Sequence, residues 1–324
     1  MPDPVPAGRV TTGMTIMKTV TIDNVTIVLS HPVTVLASWI GQPESMRQLL
    51  ACWHVITDGD LPLTPRIIGH PGIGKTTLGM AAGLSRRQQV YVMQCTADTR
   101  PEDLLITPVL SEKGTISYHA SPLLSAVIAG GIAIIDEGNR MSEKSWASLA
   151  SLFDNRRMVE SIIAGITISA HSEFRAAVTM NDDASTFEIP DYIMSRLQPG
   201  IRIPFPSRED ELQILRYSLP FSDEETLDLC VDFLQRAHGL DLPYSIRDGI
   251  NAIRYTLKLK ASKPDTDTSG IFTDALRQIL GDDALDLEGQ AVRRRQSGEH
   301  LPSMHLGDFF FSDDEELNPD TDEE

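Results

Sequence analysis

Cysteine is scarce in this chain of 324 residues: Cys52, Cys95 and Cys230 lie far apart and form no C-x-x-C pair. That argues against a disulfide framework and for buried, reduced thiols in a cytoplasmic protein. The eight histidines form no H-x-x-x-H pair, so a structural metal site has no support. No apolar run approaches the length of a membrane span, and no charged-then-apolar N-terminal pattern marks a secretory signal. Basic residues are also few, 28 Lys and Arg against 46 Asp and Glu, for a formal net charge of −18. Nonspecific nucleic-acid binding needs clustered Lys and Arg, so that class is disfavoured. After Arg295 basic residues stop, while ten acidic residues between Glu299 and Glu324 supply more than half of the net charge.

What the chain does have is Gly69-His70-Pro71-Gly72-Ile73-Gly74-Lys75-Thr76, a G-x-x-x-x-G-K-[ST] phosphate-binding loop. Glycines let successive backbone N–H groups turn inward as a nest for phosphate oxygens. Lys75 offers a point charge to the β- and γ-phosphates, and the Thr76 hydroxyl offers a ligand to Mg²⁺. Arg66-Ile67-Ile68 reads as the strand before the loop. Thr77 to Ala82 continue as a helix whose positive end faces the phosphates. Sixty residues beyond Thr76, the apolar run Ile132-Ala133-Ile134-Ile135 ends in Asp136-Glu137. Asp136 is expected to hold Mg²⁺ with Thr76, largely through waters, and Glu137 to polarise the water that attacks the γ-phosphate. The variable position His70 is expected to be incidental to the ligand.

The pattern between and around these motifs alternates strand and helix. Strands are expected at Val90–Met93, Gly131–Ile135, Phe174–Thr179 and Ile201–Ile203, with a helix from Ser142 to Asp154 in which Trp146 and Phe153 face the core. Alternation of this kind indicates a parallel sheet covered on both faces. Thr19–Ile22 and Val25–Leu29 flank Asp23-Asn24 as a β-hairpin. After Pro206 the strand signals stop. Ser207-x-x-Asp210, Ser222-x-x-Glu225 and Ser245-x-x-Asp248 read as capping boxes that open helices of a small second domain. The expected organisation has four parts. Residues 1–34 are an N-terminal extension, irregular over 1–13 and with Met14 and Met17 as alternative starts. Residues 35–206 form the α/β nucleotide-binding domain. Residues 207–289 form an all-helical lid with a linker near 262–270. Residues 290–324 form an acidic disordered tail. That tail has two readings: a solubilising acidic run, or a docking peptide in which Phe309-Phe310-Phe311 enters a basic-rimmed groove.

These motifs together resemble the AAA+ ATPases, and within them the MoxR-like, dynein-related branch, from about Val35 to Leu259. Ile40-Gly41-Gln42 is similar to the Val-Gly-Gln segment beside the nucleotide base, and Asp136-Glu137-Gly138-Asn139-Arg140 to Asp-Glu-Ile-Asn-Arg. Leu149 to Arg157 is followed by a hairpin-like Ile162 to Ala170. The resemblance implies a P-loop core with a five-stranded parallel sheet and a helical lid, binding ATP and Mg²⁺. Gly69, Pro71, Gly72, Ile73, Gly74, Lys75, Thr76 and Thr77 would hold the nucleotide, with Ile40 and Gly41 at its base. Asn181 would orient the attacking water as sensor 1. Arg196, in Ile193-Met194-Ser195-Arg196-Leu197, would be the arginine finger, with Arg202 the runner-up. Arg247, in Tyr244-Ser245-Ile246-Arg247, would be the sensor 2 residue. Three positions depart from the family pattern: Gly138 replaces an apolar residue, Asp182-Asp183 follow Asn181 in place of proline, and Leu197 stands for phenylalanine.

The expected activity is ATP hydrolysis between subunits of a homo-oligomeric ring, a hexamer, that remodels or activates a protein client. For many relatives that client is of the von Willebrand A-domain type, here a separate polypeptide. Two alternatives stand beside it: a nucleic-acid motor of the McrB-like restriction type, and a nucleotide-gated scaffold. A membrane role is not expected. No Asn-Lys-x-Asp motif supports a small GTPase, and no Ser-Gly-Gly-rich signature a transporter cassette.

Overall fold

The computed structural model describes residues 18–34, 37–110, 114–182, 189–262 and 267–297. Its strands are β1 (Thr19–Ile22), β2 (Val25–Val28), β3 (Arg66–Gly69), β4 (Val90–Gln94), β5 (Ile106–Leu110), β6 (Ile116–Ala120), β7 (Ile132–Asp136), β8 (Met158–Ser161), β9 (Ile166–Ser169), β10 (Arg175–Asn181) and β11 (Gly200–Arg202). Its helices are α1 (Pro43–Cys52), α2 (Lys75–Ser85), α3 (Pro101–Leu104), α4 (Pro122–Ala129), α5 (Glu143–Ala147), α6 (Asp191–Met194), α7 (Arg208–Ser218), α8 (Glu224–Gly239), α9 (Ile246–Ser262), α10 (Thr268–Leu280) and α11 (Leu287–Ser297).

The five strands read from the sequence form one sheet in the order β11-β3-β10-β7-β4, parallel at every pairing. Strand β7 shows why its apolar run is continuous. Ala133 and Ile135 join one core with Val178 and Met180 of β10. Ile132 and Ile134 join another, with Ile67, Leu78 and Trp53. Successive side chains point to opposite faces, so a strand covered on both sides is apolar throughout. The chain is therefore α/β, as the alternation predicts.

The hairpin β1–β2 forms with Asp23 and Asn24 both at positive φ, but it is no separate extension. Strand β2 pairs in parallel with β6, and β6 pairs antiparallel with β5, giving a second, four-stranded sheet. Ile27 and Leu29 are buried in the same core as Leu104 and Ile106.

Beyond β11 the described residues are helical. Leu215, Cys230, Leu234, Ile253, Phe272 and Leu276 share a core of their own. One of the three expected capping boxes forms in full, Ser245 and Asp248 exchanging hydrogen bonds; at a second, Ser207 caps the helix by accepting from the Asp210 N–H. At the third, the cap is Asp223 rather than Ser222, its carboxylate accepting from the Thr226 N–H at 2.9 Å.

Four boundaries move. Helix α10 already begins at Thr268, inside the expected linker. Helix α11 runs to Ser297 and buries Leu287 and Ala291 against the lid core, so residues 290–297 belong with the helices and not with a disordered tail. The helix expected over 142–154 stops at Ala147. The chain then winds on through i→i+3 bonds such as Ala150 N–H to Ala147 and Leu152 N–H to Leu149, which keep helical spacing without an α-helix. The hairpin expected over 162–170 sits earlier, with β8 and β9 joined by the turn at Ile162–Gly165. The Phe309–Phe311 segment, the acidic run and residues 1–13 lie outside the described residues.

Candidate nucleotide-binding and hydrolysis site

Strand β10 returns between β3 and β7, so the carboxyl ends of three neighbouring strands deliver the phosphate loop, Thr179 with Asn181, and the acidic pair to one edge. Ligands of open parallel sheets bind at such an edge. The cleft there is about 430 Å³ and is lined by Pro71 to Thr77, Asp136, Glu137, Thr179 and Asn181 from the sheet side and by Ile246 and Arg247 from the lid.

In the loop, Gly72 and Gly74 adopt φ of 78° and 103°, a region that residues with a Cβ avoid. Gly74 then caps α2, whose first residue is Lys75. The buried lysine ammonium donates to the carbonyls of Gly69 at 2.9 Å and His70 at 2.8 Å, which holds it over the loop.

Asp136 Oδ1 accepts from the Thr76 hydroxyl at 2.5 Å and from the Thr179 hydroxyl at 2.6 Å. A hydroxyl and a carboxylate side by side are oxygen donors of the kind Mg²⁺ prefers, and two protein ligands leave room for waters and phosphate. The residues fit that cation. Among the described residues no cluster of three or more His, Cys, Asp or Glu offers a rival metal site. Glu137 sits at φ 55° and ψ 41°, and its carboxylate accepts from Gln94 Nε2 at 3.1 Å and Arg140 Nε at 2.9 Å. Asn181 is buried, and its backbone carbonyl accepts from Asn139 Nδ2 at 3.1 Å. The Gly138 departure has a steric reason: a Cβ there would lie 2.5 Å from Val178 Cγ1 and 3.1 Å from the Trp146 ring. Cys95, next to this pair, is kept a thiol: burial, then the charges of Asp136 and Glu137, push its pKa to about 12.

The far end of the cleft is apolar, with Trp39, Ile40, Met80, Ile214 and Ile250. Ser38 donates to the Tyr217 hydroxyl at 2.9 Å, linking the segment before α1 to the lid helix α7. Gly41 and Gly69 do not line the cleft themselves, whereas the other expected nucleotide-binding residues do.

Arg196 is elsewhere. It lies in a second cleft of about 650 Å³ with Asp154, Arg156 and Arg157. Its Nη1 donates to the Tyr192 carbonyl, and its Nη2 is 3.6 Å from Asp154 Oδ2. Arg156 binds the same oxygen at 2.7 Å, and that hydrogen bond above all lowers the Asp154 pKa to about 2. Arg202, the runner-up, pairs with Asp182 at 3.3 Å. His70 faces neither cleft. Its ring stacks on Phe205 at 4.7 Å, and Phe205 stacks on His238 of α8 at 3.8 Å. His238 Nε2 lies 2.8 Å from the Tyr244 carbonyl, and its Nδ1 lies 3.5 Å from the fully buried Glu211 of α7. Burial pushes the Glu211 pKa up to about 7 and lowers those of both histidines.

Sequence reasoning did not single out Thr179 or Gln94, and it quoted Asn139 and Arg140 within the Asp136–Arg140 motif without giving either a role. Gln94 carried a faint signal, a polar residue at the end of the otherwise apolar β4, and Thr179 a fainter one, because β10 also carries Arg175 and Asn181.

Residues 66–197 match the family described as AAA domain (dynein-related subfamily). The uncharacterized protein YeaC of Bacillus subtilis (strain 168) is 27% identical over 199 residues, which cover 59% of this chain and 57% of YeaC. The von Willebrand factor A domain-containing protein 8 of Mus musculus is 24% identical over 240 residues, 66% of this chain and 12% of the mouse protein. The chain thus spans little more than half of one relative and a small part of the other. The RuvB Holliday junction branch migration motor of Thermotoga maritima superposes with a TM-score of 0.50 at 15% identity, over 76% of this chain and 72% of RuvB, a likeness of fold alone. Among the described residues no helix is long and apolar enough to cross a membrane.

Proposed function

The nucleotide-binding domain of this chain belongs to the dynein-related, MoxR-like branch of the AAA+ ATPases, and on that footing we propose a ring machine. Copies of the chain, expected to number six, cleave ATP where neighbours meet and use the cycle to remodel, activate or assemble a separate protein in the cytoplasm. In each copy Lys75 and the loop amides hold the triphosphate, Thr76 and Asp136 hold Mg²⁺, and Glu137 polarises the attacking water. Asn181 orients that water, and Arg247 meets the phosphates from the lid. Arg196 completes the site of the next copy and stabilises the charge that develops on the γ-phosphoryl oxygens.

One observation carries this reading. The expected catalytic residues share one cleft except Arg196, which lies in another. A cation set apart in this way is of use to a neighbour's triphosphate. The name of the mouse relative supports a client of the von Willebrand A-domain type. The acidic segment with Phe309–Phe311 is a candidate docking peptide for it.

Complementation tests the shared site. Lys75→Ala and Arg196→Ala should each lose at least about 10²-fold in ATP turnover when alone. Mixed before assembly, they should recover measurable turnover, because a Lys75→Ala copy still lends its Arg196 to a neighbour with an intact loop. Failure of the mixture to exceed either variant would refute cleavage between copies.

A further inference from the structure

Thr179 is fully buried on β10, with Ile67 of the phosphate-loop strand opposite it and its neighbour Val178 opposite Ile135 of the acid strand. Its hydroxyl has one proton and gives it to Asp136 Oδ1 at 2.6 Å. A lone pair of the same oxygen accepts the Glu137 backbone N–H at 3.0 Å. Some other buried hydroxyls settle on backbone carbonyls, as Ser145 on Thr99, Ser125 on Ser121 and Thr256 on Ala252, and others donate to a single carboxylate, as Thr226 to Asp223, Ser245 to Asp248 and Thr268 to Glu225. Thr179 instead bridges the two acids of the site.

Each end of the bridge has a consequence. At Asp136, two hydroxyls converge on one oxygen, since Thr76 also donates to Oδ1. That pair fixes the rotation of the carboxylate expected to face Mg²⁺. At Glu137, the bond anchors a left-handed backbone, φ 55° and ψ 41°, that residues with a Cβ adopt reluctantly.

We propose that Thr179 is a positioning residue for hydrolysis, one hydroxyl setting both the Mg²⁺-side carboxylate of Asp136 and the backbone from which Glu137 reaches its water. This rests on the roles given above to Asp136 and Glu137. Partners one step removed from a metal are typically worth about 10- to 100-fold in metal affinity or activity.

The test compares Thr179→Val, which keeps the shape and deletes the hydroxyl, with Thr179→Ser, which keeps the hydroxyl, in the full chain. Turnover is measured against ATP and against Mg²⁺, beside binding of a fluorescent ATP analogue with and without Mg²⁺ and the melting temperature. In Thr179→Val, kcat should fall about 10- to 100-fold and the Mg²⁺ needed for half-activation should rise about tenfold. Analogue binding without Mg²⁺ should stay at the wild-type level, and the gain in affinity on adding Mg²⁺ should shrink. Thr179→Ser should keep kcat and half-activation near wild type. If Thr179→Val does not fold, Thr179→Ala is read in the same way. A valine variant that only melts earlier, with wild-type kcat and Mg²⁺ dependence, overturns the proposal, as does a serine variant as impaired as valine. Wild-type protein that turns over no ATP would refute the reading of the site itself. The Mg²⁺-dependent affinity still decides the role of Thr179 in that case.

Discussion

Glu137 is held at four points: its N–H by Thr179, its carbonyl by the Arg140 N–H, and its carboxylate by Gln94 and Arg140. The residue after it has no room to grow. A Cβ on Gly138 would press on Val178 and Trp146, both fully buried. Gly138→Ala should therefore overpack this corner and cost about 1–3 kcal/mol, seen as a lower melting temperature. A variant that melts like wild type would show that the corner yields. The contrast between residues read and residues missed is physical. Lys75, Thr76 and the loop glycines act through one continuous stretch of backbone, so eight adjacent letters disclose them. Thr179 and Gln94 reach their contacts by strand pairing, with residues 42 or 43 positions away. Nothing in the local pattern of β4 or β10 announces that neighbour. Gly138 was visible as a departure, but its cause, the Val178 and Trp146 walls, lies across the sheet.

At the scale of elements, legibility followed hydrophobic pattern. The central strand β7 was legible because burial on both faces makes its run apolar up to Asp136, whereas the edge strand β11, with Gly200 and Arg202 exposed, offered only Ile201 and Ile203 as its signal. Strands β5 and β6 were not legible: β5 exposes Thr107 to Leu110 and carries Pro108, and it is recognisable only as a partner of β6. A polar part of the packing was hidden too: a buried Glu211 of α7 faces His238 of α8, whose ring continues a stack from His70 through Phe205. This contact has a pH signature. The Glu211 pKa rises in the fold from near 4.5 to about 7, so the folded state binds the proton more tightly than the unfolded chain. Its contribution is complete below about pH 4.5 and is lost as pH climbs through 7. The lowered pKa values of His70 and His238 act in the opposite sense, losing stability as pH falls. Glu211→Gln keeps an acceptor for Gln235, which now donates to Glu211 at 2.8 Å, and cannot ionise. Its melting temperature relative to wild type should rise between pH 5 and 8, reaching a difference of up to about 2–3 kcal/mol in stability at the upper end. A constant difference across that range would mean that Glu211 does not titrate there.

In the whole molecule, the nucleotide cleft lies between two cores that share no buried residue, one around the parallel sheet and one among the lid helices. The two touch around the loop: a Cβ on Gly72 would fall 2.4 Å from Ser245 Oγ and 3.2 Å from Arg247 Cβ. Arg247 is the one cation that the lid contributes to the lining of this cleft, facing a wall whose own cation is Lys75. A triphosphate bound between them would be drawn from both sides, so binding would tie lid to core as well as filling the loop. Ligand binding to the folded state raises stability by RT ln(1 + [L]/Kd), so the rise in melting temperature with ATP measures that tie. Removing Arg247 deletes one charge-assisted contact, and each tenfold loss in affinity takes away about 1.4 kcal/mol at saturating ligand. Arg247→Ala should thus melt like wild type without nucleotide, because its side chain is exposed, and gain less from ATP. Its turnover should fall with it. ADP should discriminate poorly between the two proteins if the arginine meets the γ-phosphate, and well if it meets the β-phosphate. An equal ATP-induced shift in both proteins would remove Arg247 from the site and leave the lid as a cover for the base alone.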